Sequence, residues 1–412
     1  MNFELFTARR IIASSDNKGS VSAPIIKIAI AAIAAGMVIM ILSVAAGLGL
    51  QQKIREKVSA FNGEISIIHF DNQSQLEDQT PIDLPQNFYP KFSQVEAVEH
   101  IQATAHKAGI ILTDQEFEGV ILKGVGPDYR WELMAPYITS GHYPETQGNL
   151  NNQLMISSTI AQRLNIALGD TINTFFLKGA DEQAIRSRGF KVVGFYESGF
   201  EDFDRQYIFS DIRHVQRLNR WTDRQVGRFE LFTDQSQDLT QIADQVYQLT
   251  PGSLNTISMS EAYYAIFEWL SLFDFNIYLI IGIMILIASI NMITALLVLI
   301  LERTQMIGVL KSLGSTNWSI RKMFLYQAGY IIGLGLFWGN LIGLFMIGIQ
   351  SYFGIITLDP ATYYVRYAPV HLPLDLWVWL NAGTFILCLC LLLLPSYLVT
   401  KITPVEAMRF DG

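Results

Sequence analysis

Four long apolar runs, set apart by one large polar stretch and two short ones, leave this chain very few folds to choose from. The runs occupy residues 25–50, 274–301, 324–352 and 374–399. Each exceeds the roughly 20 residues that an α-helix needs to cross about 30 Å of hydrocarbon. In lipid every backbone N–H and C=O must be satisfied within the segment, and a helix does that alone. Of the 412 residues, 50% are hydrophobic and 16% charged. That is too apolar for an ordinary soluble protein and too polar for spans only, so the polar stretch 51–273 must fold as a domain of its own. The expected fold class is membrane α-helical: four transmembrane helices, with a large mixed α+β domain inserted between the first and the second. The first run starts after 24 residues and is roughly twice a signal-peptide core in length, so it reads as a retained anchor.

Charge sets the orientation. Arg9, Arg10 and Lys18 precede the first run. Arg303, Lys311, Arg321 and Lys322 lie in or beside the segment 302–323, and Lys401 and Arg409 fall in the tail 400–412. The connection 353–373 carries Arg366 alone among lysines and arginines. Positive residues stay on the cytoplasmic side of short loops, which places both termini and 302–323 in the cytoplasm and the domain 51–273 outside. That domain holds 18 Lys and Arg against 29 Asp and Glu, whereas the rest of the chain has 11 against 8. An acidic outer domain argues against a broad grip on nucleic acid or anionic headgroups. It has no cysteine, so its own core must hold it. Cys388 and Cys390, two apart on the fourth run, point in different directions on a helix and are not expected to pair.

Residues 1–24 open with FELFTARRII, which alternates apolar and basic groups at helical spacing and reads as a short helix on the inner membrane surface. The first span is rich in alanine and glycine. The third carries Gly335, Gly339 and Gly343 in one row and Gly329 and Gly333 in another, which predicts a tight helix–helix seam of unspecified partner. Asn291, Gln327, Asn340 and Asn381 are polar side chains within the spans. No acidic or basic residue sits near the middle of spans two, three or four, so ion-coupled transport has no groups to use and energy must arrive from elsewhere. In the outer domain, strand-like runs fall at 64–70, 119–125, 154–157, 171–177, 190–195 and 228–232, with helical patterns at 158–165 and 239–248. SEAYYAIFEWLSLF (260–273) reads as an aromatic helix at the outer interface. The acidic run Glu201, Asp202, Asp204 has no cation-ligand spacing and reads as a solvated loop. The chain has no G-x-x-x-x-G-K-[ST], H-E-x-x-H, C-x-x-C or G-x-S-x-G sequence, so it carries none of the corresponding nucleotide, metal or hydrolase sites. His69, His100, His106, His142, His214 and His371 are scattered without ligand spacing.

Between the second and third runs, ERTQMIGVLKSLGSTNWSIRKMF is a charged, amphipathic insert. Met306, Val309, Leu310 and Leu313 share one helix face, Gly308 offers a close-approach point and Gly314 a stop. A helix so placed can pass force from a cytosolic partner into the membrane. The ER…IG…L…LG wording resembles the cytoplasmic motif of FtsX-like ABC permeases. FELFTARR, VILKGVGPDYRWEL with the following Gly141, ISSTIAQRLNIALGD and the terminal TPVEAMRFDG further resemble the lipoprotein-releasing (Lol-type) branch, over essentially the whole length. The resemblance implies a permease subunit of the bacterial inner membrane, not itself an enzyme. It implies no cofactor in this chain, with ATP and Mg bound by a separate cytosolic ABC ATPase dimer. A second permease chain (the same or a paralogue), a periplasmic lipoprotein carrier and a lipoprotein cargo complete the set. It further implies ATPase contact through Glu302, Arg303, Met306, Ile307, Leu310, Lys311 and Gly314. A substrate cavity would be lined by Met37, Ile41, Val44 and Leu48 of the first span and Ile277, Ile281 and Met284 of the second. Two other readings stay open: an FtsX-like or macrolide-exporter-like permease that serves another cargo or drives a cell-wall hydrolase, and a membrane-anchored receptor or enzyme whose outer domain acts alone.

Overall fold

The computed structural model describes residue 4 and residues 22–73, 79–113, 116–177, 185–234 and 238–401. The amphipathic helix expected at the amino terminus lies outside the described residues except for residue 4, and so does the tail from residue 402 onward. The described chain divides into a membrane unit and an outer unit. The membrane unit takes the chain up to Gln52, Leu270–Thr357 and the chain from Tyr367 on; the outer unit takes Lys53–Trp269 and Leu358–Arg366.

Among the described residues, four helices are long and apolar enough to cross a membrane. They are Ser22–Asn62, Tyr264–Glu302, Asn317–Phe353 and Leu374–Leu391, the last continued by a short turn Leu393–Ser396. The seam foreseen from the glycine row is intramolecular. A Cβ added at Gly335 would meet Ile33, one at Gly339 would lie 2.6 Å from the Met37 Cβ and 2.8 Å from the Ala34 carbonyl, and one at Gly343 would press on Ile41. The third span thus lies against the first, backbone to side chain, because lipid supplies no hydrophobic drive and only close approach gains packing. The second row does not share this role: Gly333 faces open space and Gly329 only ordinary contacts. Two of the span-internal amides, Asn340 and Asn381, pair with each other. Asn340 Nδ2 donates to Asn381 Oδ1 at 2.6 Å, and Trp377 Nε1 donates to Asn340 Oδ1 at 2.6 Å, joining the third and fourth spans. Gln350 turns its amide on the loop after the third span, bonding the Ile356 N–H and the Ile356 and Ala368 carbonyls. Cys388 is buried beside Ser289 and Cys390 is exposed, as a two-residue separation on a helix requires.

The outer unit is built on strands β1 (Ile65–His69), β2 (Ile82–Asp83), β3 (Val98–Leu112), β4 (Phe117–Val125), β5 (Ile138–Gly141), β6 (Gln153–Ser157), β7 (Thr171–Leu177), β8 (Ile185–Tyr196), β9 (Tyr207–Asp211), β10 (Gln225–Val226), β11 (Arg228–Thr233) and β12 (Leu254–Ser258). Ten of them form one sheet in the order β12–β1–β11–β3–β4–β9–β6–β8–β5, with β7 bridging β3 and β8; β2 and β10 pair separately. The parallel pairs β4·β9 and β6·β8 need crossover connections, which helices Ser158–Arg163 and Glu201–Gln206 help to supply. Ser157, Asp211 and Asp238 cap the helices that follow them, each side chain accepting a backbone N–H of the first turn. Ile67, Ile101, Leu122, Leu154, Ile208, Phe229 and Leu231 centre the apolar core.

Two features of this unit differ from the sequence expectations. The longest strand, β3, alternates Ile101, Ala103 and Ala105 with Gln102, Thr104 and His106, yet both sets are buried, so the alternation does not mark a half-exposed strand. The acidic run is a helix, Glu201–Gln206, and not a solvated loop. Asp204 is buried, and its carboxylate accepts the Ser198 and Gly199 N–H groups and the Ser198 hydroxyl at 2.7–2.9 Å. Burial pushes its pKa up against those hydrogen bonds.

Candidate coupling helix and apolar cleft

The segment after the second span folds as helix Thr304–Ser312. Thr304 Oγ1 donates back to the Leu301 carbonyl at 2.6 Å, marking the break from the preceding helix. The stop is Gly314 at φ +92, a conformation that favours glycine. Thr316 then caps the third span, accepting the Ser319 N–H at 3.2 Å. A short helix between two abrupt breaks holds a fixed pose on the bundle.

That pose sorts the seven residues expected to meet a partner. Ile307 is 0% exposed and belongs to the core of the membrane unit. It anchors the helix, and its assignment to a contact face is corrected: a fully buried side chain presents nothing to a partner. Met306 and Leu310 pack against the edge of the same core. Lys311 Nζ donates to the Val399 carbonyl at 2.7 Å, holding the helix to the end of the fourth span. Glu302 is exposed and Arg303 half-buried. The apolar stripe Met306, Val309, Leu310, Leu313 therefore straddles the surface. Its inner edge is packed, while Val309 at 48% and Leu313 at 78% exposure stand outward, with Trp318 at 52% close by in sequence. These three are the residues that site reasoning from the sequence left out. The signal was present in the shared face of Val309 and Leu313, but which edge of an apolar stripe points inward is decided by packing.

The second arrangement is an apolar cleft of about 330 Å³ in the membrane unit. Val44 and Leu48 of the first span, Ile277 and Ile281 of the second, and Trp379, Leu380 and Leu387 of the fourth line it. Four of the seven expected cavity residues meet there. Met37 and Ile41 do not, because they fill the glycine row of the third span. Met284 also falls outside the lining and packs against the bundle core. The fourth span contributes a wall that the expectation lacked. Asp274 is the acidic group of the lining, and Gln51 Nε2 donates to its Oδ1 at 2.8 Å. Such a surface, largely apolar with a tethered carboxylate at Asp274, can hold a hydrocarbon chain.

Comparison with known proteins gives two complementary matches. A family model described as the MacB-like periplasmic core domain matches residues 28–249, and one described as the FtsX-like permease C-terminal matches residues 278–404. The lipoprotein-releasing system transmembrane protein LolC of Neisseria meningitidis is 20% identical over 427 residues, covering 100% of both chains. LolC of Haemophilus influenzae is 24% identical over 270 residues, 63% of this chain and 64% of that protein, so this match spans just under two thirds of the relative. Among solved structures, the extracellular domain of the noncanonic ABC-type transporter YknZ from Gram-positive bacteria is 12% identical, covering 47% of this chain and 99% of that one at a TM-score of 0.32. A likeness of that size carries no argument about either fold or function.

Proposed function

The chain belongs to the FtsX-like ABC transporter permeases that carry a MacB-like periplasmic core domain, and from that premise we propose that it serves lipoprotein release. In this reading it sits in the bacterial inner membrane with both termini cytoplasmic and the large domain periplasmic. It pairs with a second permease chain and works with a separate cytosolic ATPase dimer that binds ATP and Mg. It draws lipoproteins out of the outer leaflet and passes them to a periplasmic carrier. The observation that carries the coupling part is helix Thr304–Ser312, with Ile307 fixed in the span core and Val309 and Leu313 left apolar and exposed. An exposed apolar edge on an otherwise charged loop is a docking surface, and a rigid anchor turns a push on that edge into movement of the spans. The cargo part is supported by the name of the relatives, LolC, one of which aligns over the full length.

The energetics fit a driven machine. Each buried CH₂ costs about 0.8 kcal/mol to extract, so three acyl chains demand tens of kcal/mol unless a pocket receives them. ATP supplies the drive, and a carrier must accept the chains as they leave the cleft. The test is ATP-dependent release of a triacylated lipoprotein from proteoliposomes that hold this chain, its co-purifying ATPase and a periplasmic carrier. Release that requires both ATP and carrier is expected. Hydrolysis without release, with competent cargo and carrier, would move the reading to another cargo or to force transmission toward a cell-wall hydrolase. Leu313→Asp sharpens the coupling claim. It sits on an exposed edge, so the fold should change by less than about 0.5 kcal/mol, while ATP-driven release is lost. Full release by the Leu313→Asp chain would remove the docking edge from the mechanism.

A further inference from the structure

The connection between the third and fourth spans, 353–373, reads in the sequence as a short loop, yet its middle, Leu358–Arg366, folds as part of the outer unit. The chain thus crosses between its two units four times, where an insert between two spans alone would cross twice. The hold on this segment is specific. Lys57 Nζ donates to the Tyr364 carbonyl at 2.7 Å and to the Ser198 carbonyl at 2.5 Å. The Tyr364 ring stacks on Phe200 at 4.1 Å between centroids, 13° from parallel, and meets Trp269 edge-on. Val365 is 5% exposed, and Arg366 reaches Glu197 at 4.0 Å. The Ser198–Phe200 turn that receives the tyrosine is itself fixed by Asp204, and Gly199 takes φ +70 beside Lys57.

Tyr364 adopts φ +61. A bulky side chain seldom takes the left-handed region, and such conformations persist where the surroundings over-determine them, which is why they gather at clamps and switches. Here a carbonyl aimed at a buried ammonium and a ring aimed at Phe200 together demand that backbone turn. A loop whose only task is to join two helices needs neither.

We propose that Leu358–Arg366 is a tie that makes the link between spans three and four a working part of the outer domain, with Lys57 and Tyr364 as its positioning residues, and that coupling of ATP hydrolysis to cargo release requires the tie to be closed. The proposal rests on the ABC-permease reading above. With the tie closed, a displacement of the third and fourth spans is carried into the outer sheet through the Phe200 turn as well as through the two long helices. With it open, that route is lost while the ATPase surface on helix Thr304–Ser312 is untouched.

The test uses the complete transporter in proteoliposomes. Tyr364→Gly keeps the positive φ and removes the ring; Lys57→Met keeps the stem and removes the ammonium. Each should hydrolyse ATP within about twofold of the unmodified chain while release per ATP falls by about tenfold or more. Tyr364→Phe, which retains the stacked ring, should restore release. Unchanged release per ATP in both Tyr364→Gly and Lys57→Met would overturn the tie. A second measurement is independent of cargo. Val365→Cys should resist a membrane-impermeant maleimide, and adding Tyr364→Gly should raise its labelling by about tenfold. Equal labelling with and without Tyr364→Gly would also overturn the tie. An unmodified transporter that hydrolyses ATP without release would instead sink the lipoprotein reading, leaving the labelling result to judge the tie.

Discussion

The glycine seam of the membrane unit and the polar centre of the outer sheet hold helix Ser22–Asn62 at its two ends, under opposite solvents. In the seam, Ile33, Met37 and Ile41 enter the gaps left by Gly335, Gly339 and Gly343. Lipid is as apolar as those side chains, so burial itself gains nothing and shape decides. At the other end the helix finishes over Lys123 and Glu230, both side chains 0% exposed, with Nζ donating to Oε1 at 2.6 Å. Gln102 and Thr104 donate to the same carboxylate at 2.9 and 3.1 Å, and Lys123 also donates to the Phe61 carbonyl in the last turn of the helix. A cation at a helix carboxyl end meets the negative pole of its dipole. Water drives the outer core together without direction; the buried pair then fixes which strand and which helix end meet. One end is specified by an absence of side chain, the other by charge.

The largest effect should come from breaking the charged end. Lys123→Met leaves the buried Glu230 carboxyl group without its partner cation, which should cost the outer domain about 3–5 kcal/mol. Lys123→Met combined with Glu230→Leu should recover most of that loss, because replacing both partners leaves no stranded charge. Thermal unfolding of the detergent-solubilised chain reads both. A double variant no more stable than Lys123→Met alone would mean that the helix-end bond to Phe61, and not the pair, carries the stability.

The seam should give less. Gly339→Leu places a Cβ against Met37 and the Ala34 backbone, where nothing can move cheaply. Overpacking of this kind costs about 1–3 kcal/mol. Gly333→Leu is the control, since its Cβ meets open space and its cost should be near zero. If the two variants melt together, the seam does not hold the bundle, and the contrast between the two ends fails.

How much of this was legible beforehand divides along the same line. The four spans and the Gly335–Gly339–Gly343 row could be read because membrane folding leaves compositional traces: long apolar runs and small residues at fixed spacing. Six strands of the outer sheet also fell near apolar runs, β1 and β7 among them. The central strand β3 escaped because its alternating apolar positions include the small Ala103 and Ala105, weak strand formers, and its other face carries Gln102 and Thr104, which are buried against Glu230 where a sequence reading expects solvent. The candidate site split in the same way. Of the residues that the resemblance implied for a cavity, Val44, Leu48, Ile277 and Ile281 line the cleft, whereas Met37 and Ile41 were claimed by a third helix whose approach only the fold reveals. Tyr363 and Tyr364 gave no sign that their loop belongs to the outer unit, since the partners Lys57, Phe200 and Trp269 are more than 90 residues away in sequence.

The smallest effect concerns a polar group of the outer sheet that has no partner. His106 is 0% exposed, and both its ring nitrogens lack a hydrogen-bond partner among the described residues. Burial, with Arg228 and Lys123 nearby, holds its pKa well below the usual histidine value of 6.5. His214 is lowered as well, again chiefly by burial, although its Nε2 bonds the Asn151 carbonyl. With the folded pKa depressed, the unfolded chain takes up a proton below about pH 6.5 that the folded chain refuses, so stability is unaffected above that pH and falls as pH drops below it. The loss is at most about 1.4 kcal/mol per pH unit for each histidine. His106→Phe keeps an aromatic ring against Tyr207, which the imidazole meets edge-on at 5.7 Å. It should remove about one histidine's share of the slope between pH 6.5 and 5.5, measured as the difference in unfolding free energy between the two chains, so that carboxylates common to both cancel. An identical slope in the two chains would show that His106 already finds a proton acceptor or solvent in the folded state. The polar centre would then be wetter, and closer in kind to the amide network of Asn340 and Asn381, than the contrast between the two ends allows.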